Sequence, residues 1–205
     1  MLAVRRPCVS GAVVVLAALV SCGGQTSQTA ASAKPLQEAL AKTLHSRSVH
    51  IEQRTDDLGE ADVLAVVTSI DFEAPDRLHI VRSGSTTDAP KEVVILGEKQ
   101  YERESSGCFS LSKDGSPFEP GFPDEAKTAL RSVSRGSVKR VHEGEYELLS
   151  NSDEDVDGGT LVLRGGHVQR VVVDWSYGQR QEFSFSDFGA GLRVSQPEDC
   201  AGAPR

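Results

Sequence analysis

Apolar and polar residues alternate along this chain with two different periods, and the changes of period mark out its elements. Gly11–Val20 is an unbroken apolar run. Leu36, Leu40 and Leu44 then recur at every fourth position, which predicts a helix over Pro35–Ser46 with the proline in its first turn. From Val49 the period shortens to two. Val49, Ile51 and Gln53 alternate with polar neighbours, and Leu78 and Ile80 do the same within Arg77–Arg82. Asp62–Phe72 carries Val63, Val66, Val67 and Ile70. Glu92–Leu96, Lys99–Glu104 and Cys108–Ser112 complete this group of predicted strands, separated by Gly, Pro, Asp and Ser.

Helical spacing returns in Phe122–Ser134. Ala126, Ala129, Leu130 and Val133 form the stripe, Asp124 and Glu125 place acids in the first turn, and Gly136 is the stop. Ser137–His142, Glu145–Ser150, Thr160–Leu163, Val168–Asp174 and Gln181–Phe188 read as a meander of strands. Tight turns fall at His142-Glu143-Gly144, Gly165-Gly166 and Tyr177-Gly178, and Leu192–Val194 reads as a final edge. About ten strands joined by hairpins, with two helices, give an α+β class and a mostly antiparallel sheet. An open sheet of that size curls. The expected architecture is an incomplete β-barrel with both helices on its concave side, formed by residues 35–198 as one domain, with 199–205 as a tail.

The N-terminus places the protein outside the cytoplasm. Arg5 and Arg6 precede the apolar run, which is about half the roughly 20 residues a membrane-spanning helix needs. This is the form of a signal peptide, residues 1–21. Leu19-Val20-Ser21-Cys22 then resembles a bacterial lipobox. That resemblance implies cleavage before Cys22 and acylation of its sulfur, so that the mature chain is anchored to the outer face of the bacterial cell membrane. Arg5-Arg6 leaves Sec and twin-Arg export both open. Residues 22–34, the lipidated Cys and a Gly, Ser, Thr, Gln and Ala stretch, read as a flexible tether.

Charge and chemistry narrow the function classes. Lys and Arg number 22 against 30 Asp and Glu, a formal net charge of −8, which speaks against nucleic-acid binding. Cys108 and Cys200 remain after Cys8 is removed and Cys22 is acylated. In an exported domain such a pair is expected to bond, closing a loop of about 92 residues with roughly 4–5 kcal/mol of chain-entropy stabilisation. Asp153, Asp155, Asp157 and Gly158 imitate the start of a calcium loop, but Arg164 stands where a bidentate Glu is needed, so no metal is expected. His45, His50, His79, His142 and His167 form no ligand or catalytic spacing, and there is no GxSxG elbow. No cofactor and no enzymatic activity are expected.

Several segments together carry a family resemblance. They are the lipobox and tether, the helix leading into Ser48-Val49-His50-Ile51, and Ala74-Pro75-Asp76-Arg77-Leu78-His79-Ile80. Val93-Val94-Ile95-Leu96-Gly97-Glu98-Lys99-Gln100-Tyr101 and the terminal Phe185-Ser186-Asp187-Phe188-Gly189 complete the set. The arrangement resembles the LolA/LolB-type fold and the mycobacterial LppX/LprG-type lipoproteins. The resemblance implies a curved sheet and helices enclosing an apolar cavity, with a lipid or acyl chain as ligand and no catalytic residues. Trp175, Phe183 and Phe185 are the candidate lining of that cavity. Alternation alone also explains Phe183 and Phe185 as one core-facing row. The alternative function is an anchored interaction or regulatory module without a ligand cavity.

Overall fold

The computed structural model describes residues 27–29, 33–58, 65–84, 92–104, 107–112 and 121–197. The expected signal peptide and C-terminal tail, Cys22 and Cys200 lie outside the described residues. The first helix, α1 (Lys34–Leu44), follows a short strand, β1 (Ser27–Thr29). Then come β2 (Ser48–Asp57), β3 (Val66–Glu73), β4 (Arg77–Ser83), β5 (Glu92–Leu96), β6 (Lys99–Arg103) and β7 (Ser110–Leu111). Helix α2 (Asp124–Arg135) leads into β8 (Ser137–His142), β9 (Glu145–Leu148), β10 (Val156–Arg164), β11 (His167–Trp175) and β12 (Gln179–Ser186).

All twelve strands join one antiparallel sheet in the order β1-β8-β9-β10-β11-β12-β2-β3-β4-β5-β6-β7. The order is linear, with β1 and β7 at opposite edges, so the curved sheet is an open half-barrel. The C-terminal meander closes onto the N-terminal one where β12 pairs with β2, Phe185 opposite Ile51 and Phe183 opposite Gln53. Hairpin connectivity sorts the turns to two ends. The β3–β4, β5–β6, β8–β9 and β10–β11 turns and the last turn of α1 lie at what we call the Gly165 end. The β2–β3, β4–β5, β9–β10 and β11–β12 connections leave from the Tyr177 end.

Both helices pack on the concave face, mainly over β11. Leu36, Ala39, Leu40 and Thr43 are the buried stripe of α1, and Pro35 sits in its first turn, where a missing N–H costs nothing. Ala126, Ala129, Leu130 and Val133 are the stripe of α2, which ends where the Gly136 N–H bonds back to the Ser132 carbonyl. These side chains and the inward residues of β2–β5 and β8–β12 form one continuous apolar core. The fully buried Thr43 adds a polar tie, its Oγ1 accepting from the Val168 N–H at 2.9 Å. A buried donor with its partner removed costs roughly 1–3 kcal/mol, so this bond fixes α1 against the start of β11.

Two expectations are corrected here. Ser27–Thr29 falls inside the stretch read as a flexible tether, yet it pairs with β8, Ser27 opposite Lys139 and Thr29 opposite Ser137. Leu192–Val194 is no edge strand. It crosses the convex face, where Val194 is buried with Val94 and Tyr101 in a second small cluster that Leu96 and Phe109 border. The Val194 N–H donates to Glu73 at 3.1 Å, and Arg77 lies 3.4 Å from the Val194 carbonyl. A lone buried valine with capped backbone groups satisfies this segment without a ladder.

Candidate functional site

Strand alternation gives the sheet two chemically different faces. Inward positions of β2–β5 are Val49, Ile51, Gln53, Thr68, Ile70, Phe72, Leu78, Ile80, Val93 and Ile95. Outward positions of β2–β6 hold His50, Asp71, His79, Glu92 and Arg103; the register sets His50, Asp71 and His79 directly across from one another and Glu92 across from Arg103 two positions further along, so the five form one slanted row.

On the inner face the aromatic rings form a connected series. Phe122, just ahead of α2, meets Phe72 edge-on at 5.7 Å and stacks on Phe185 at 6.3 Å; Phe185 in turn stacks on Phe183 at 6.4 Å. Trp175 stands apart at the Tyr177 end, its indole N–H donating to Gln181 at 3.0 Å and its ring stacked on Tyr177. Trp175, Phe183 and Phe185 are all buried in the core, at 7%, 0% and 2% exposure. Phe183 and Phe185 thus share one wall, and Trp175 does not join them through a ring contact. Gln53 is a buried polar residue of this face. Its amide donates to Glu125 of α2, pinning the helix to β2. Below the end of α2 a void of about 10 Å³ touches Val133, Leu148, Val156 and Val173, at the lower limit for holding a water.

The inner wall of β3–β5 is covered differently from the rest. Leu78, Val93 and Ile95 are no more than 5% exposed, although the helices lie mainly over β11. Phe122 reaches that wall at Phe72. Among the described residues, the Phe122 ring, carried on the segment entering α2, joins the β3 wall at Phe72 to Phe185 of β12 and forms a wedge between them.

The outer face carries a polar row that the sequence reading did not anticipate. His50 Nδ1 lies 2.6 Å from Asp71 Oδ1, His79 Nδ1 3.9 Å from Asp71 Oδ2, and His79 Nε2 2.8 Å from Glu92 Oε1. Arg103 donates to the other oxygen of Glu92 and lies over the Phe109 ring at 4.7 Å. Beside the row opens a cavity of about 550 Å³, lined by Asp71, His79, Glu92, Arg103, Phe109 and Arg193 among others, with the segment around Val194 as its far wall. His50 and His79 are half-buried partners of carboxylates on the outer face. Each member is visible in the sequence only as one polar residue of one strand; the row exists because of register. Cys108 also borders this cavity, and its sulfur is not a free thiol. Its expected partner Cys200 lies outside the described residues.

Electrostatics in the row has a testable sign. Burial alone pushes the Glu92 carboxyl up, but the hydrogen bonds from His79 and Arg103 and their charges outweigh it and hold the carboxyl below its usual range. Glu92 therefore contributes stability that is fully present above the unfolded-state carboxylate pKa and lost as pH falls through the folded value. Glu92→Gln is expected to lower the stability read from urea unfolding at neutral pH by less than about 1 kcal/mol, because the partners are one-third exposed or more. The difference from the parent should shrink below about pH 4. An equal difference at neutral and acid pH would contradict it.

A second, shallower outer cavity of about 270 Å³ is bounded by Arg170, Asp174, Arg180 and Glu182. Its charges are internally matched: Arg170 grips Glu182 at 2.7 and 2.8 Å, and Arg180 grips Asp174 at 2.6 and 3.1 Å. Among the described residues no group of three or more His, Cys, Asp and Glu is arranged to hold a metal ion. None of the helices described is long and apolar enough to cross a membrane.

No family profile matches this chain, and no curated protein matches it in sequence. Solved structures similar in shape include LprF from Mycobacterium bovis, at 11% identity and TM-score 0.48 over 80% of this chain and 95% of that one. The Mycobacterium tuberculosis lipoprotein LppX matches at 14% identity and TM-score 0.46 over 79% and 97% of the two chains. A LolA superfamily protein from Nitrosomonas europaea matches at 9% identity and TM-score 0.34 over 77% and 92%. LppX and the LolA superfamily are among the groups that the sequence resembles.

Proposed function

We propose that this chain is an exported lipoprotein, acylated at Cys22 and held on the outer face of the bacterial cell membrane, which takes an acyl chain into the concave face of its half-barrel. The observation that carries the reading is the Phe122 wedge. It lies where the apolar wall of β3–β5 meets Phe185, and it belongs to a connecting segment and not to a helix body. Withdrawing one ring would open an apolar slot walled by Phe72 and Phe185. Filling that slot with a lipid tail would return about 0.8 kcal/mol per buried methylene. Catalysis plays no part in this reading; the ligand is held and released.

Phe122→Ala tests it. The truncation is expected to cost about 3–5 kcal/mol in the ligand-free protein. Apolar voids of this kind stay dry and take apolar guests. A saturating long-chain fatty acid should therefore raise the melting temperature of the variant more than that of the parent, since only the folded state binds it. Mass spectrometry of parent protein purified from a bacterial host should find an acyl lipid. No lipid in the parent, together with no thermal shift in either protein, would overturn the reading.

Export also bears on Cys108. A bond to Cys200 would hold the C-terminal segment over the outer cavity, next to the anchor point made by Val194. Peptide mapping without reductant would identify the linked pair.

A further inference from the structure

We infer that the Gly165 end of the half-barrel is the surface that rests on an anionic bilayer, with the Tyr177 end directed away from it. The inference builds on acylation of Cys22 as proposed above. Its first support is the direction of β1. Ser27 lies opposite Lys139 and Thr29 opposite Ser137, while β8 runs on to His142 at the Gly165 end. The chain therefore reaches β1 from that end. Cys22 precedes Ser27 by about five residues, which span at most about 18 Å. The level of His142 is roughly 10 Å from Lys139 along the strand. A tether continuing in the direction of β1 brings the anchor just past the β8–β9 turn. To bring the anchor to the Tyr177 end the chain would have to reverse direction over β1.

Charge gives the second support, and it is independent of the tether. Around the β8–β9 turn, the β10–β11 turn and the last turn of α1, the exposed fixed charges are Lys42, Arg47, Arg140 and Arg164 against Glu143 and Glu145, while the β3–β4 and β5–β6 turns and the end of β12 add Arg77 and Lys99 against Glu98 and Asp187 and leave this corner the basic part of the end. Val141 adds an exposed apolar side chain at the tip. His167 contributes no charge near neutral pH, because burial and the nearby Lys42 push its pKa down. The opposite end carries Asp57, Asp153, Asp155 and Asp157, all exposed, and three of its arginines are taken up by carboxylates: Arg54 by Asp56, Arg135 by Glu154 and Arg180 by Asp174. The two ends are separated by about 33 Å, the span of a strand the length of β2 and several screening lengths at physiological salt. The acidic end therefore does not cancel the attraction of the basic corner to a negative leaflet. This orientation also turns the Phe122 wedge toward the headgroups, since Phe72 lies next to the last residue of β3 at the Gly165 end.

The test uses the mature acylated chain in phosphatidylglycerol–phosphatidylcholine vesicles, with a fluorescent amino acid incorporated in place of Val141 or of Tyr177. A headgroup-linked quencher should suppress the Val141 label strongly and the Tyr177 label hardly at all. In the unanchored C22S mature chain, K42Q/R47Q/R140Q/R164Q should weaken partitioning to the same vesicles by roughly tenfold. Substituting Asp153 and Asp155 by Asn should not weaken it. Intact mass of the membrane-extracted chain reports acylation separately. A chain without acyl groups overturns the anchor reading and this inference with it. An acylated chain with equal quenching at the two labels, or stronger quenching at Tyr177, overturns the orientation alone.

Discussion

Phe183→Ala is expected to lower the stability of the domain by about 3–5 kcal/mol, a large share of the roughly 5–15 kcal/mol that holds a typical domain together. Phe183 has no exposed surface and stands on β12 between Val171 of β11 and Gln53 of β2, where the two meanders join. Its ring supports Phe185, on which Phe122 rests. Helices on the inside and paired strands on both sides leave the site little room to collapse, which places the cost in the upper part of the range. The measurement is the urea midpoint, with the slope unchanged if both end states keep their compactness. Leu111→Ala is the control: that side chain is 56% exposed, and a change within about 0.5 kcal/mol is expected. A fall of less than about 1 kcal/mol in Phe183→Ala would mean that the inner face is loosely filled and relaxes freely. That result would remove the packed wall on which the Phe122 wedge depends.

Period-two alternation made much of this sheet readable beforehand. Val49 and Ile51, Leu78 and Ile80, and Phe183 and Phe185 all point inward as their spacing requires. Both helices lie where the Leu36–Leu40 and Ala126–Leu130 stripes put them. What the sequence concealed follows a physical rule. β1 is held through backbone pairing at a sheet edge, and Ser27-Gln28-Thr29 has no apolar residue to announce it. Val194 looked like part of an edge strand because an isolated buried valine and a short strand have the same local pattern. The outer row from His50 to Arg103 depends on five strands in register, and register is a long-range property that no single segment encodes. Aromatic character is the signal that marks Trp175, Phe183 and Phe185 as candidate lining in the sequence. Phe183 and Phe185 then fell on one wall. Phe122 lies outside every alternating strand and ahead of the helical stripe, so no local pattern marks it although it makes the central contact.

Gly158 and Gly159 show the same rule at its sharpest, and substituting each in turn should separate them. Asp157, Gly158 and Gly159 read as loop, because glycine weakens strands and the neighbours are charged. They are instead the start of β10, where the ladder to β11 shifts register between Val156 and Gly158. Gly159 has φ 149°, and a Cβ built on it would stand 2.1 Å from the Val172 carbonyl oxygen and 3.1 Å from Leu148 Cδ1. The carbonyl belongs to the backbone of a central strand and cannot rotate away. Gly159→Ala thus combines an unfavourable φ with a main-chain overlap, and a loss of about 2–5 kcal/mol is expected. At Gly158 the added Cβ would meet only the Leu148 carbonyl oxygen at 3.5 Å, an ordinary contact, and its φ is not in the glycine region. Gly158→Ala should change stability by less than about 1 kcal/mol, and by removing freedom from the unfolded chain it can even raise it. Thermal melts of the two single variants decide the matter. Equal effects at the two positions would mean that β10 meets β11 with a different bulge. The inward direction of Leu161, and with it the packing of the concave face around β10, would then have to be redrawn.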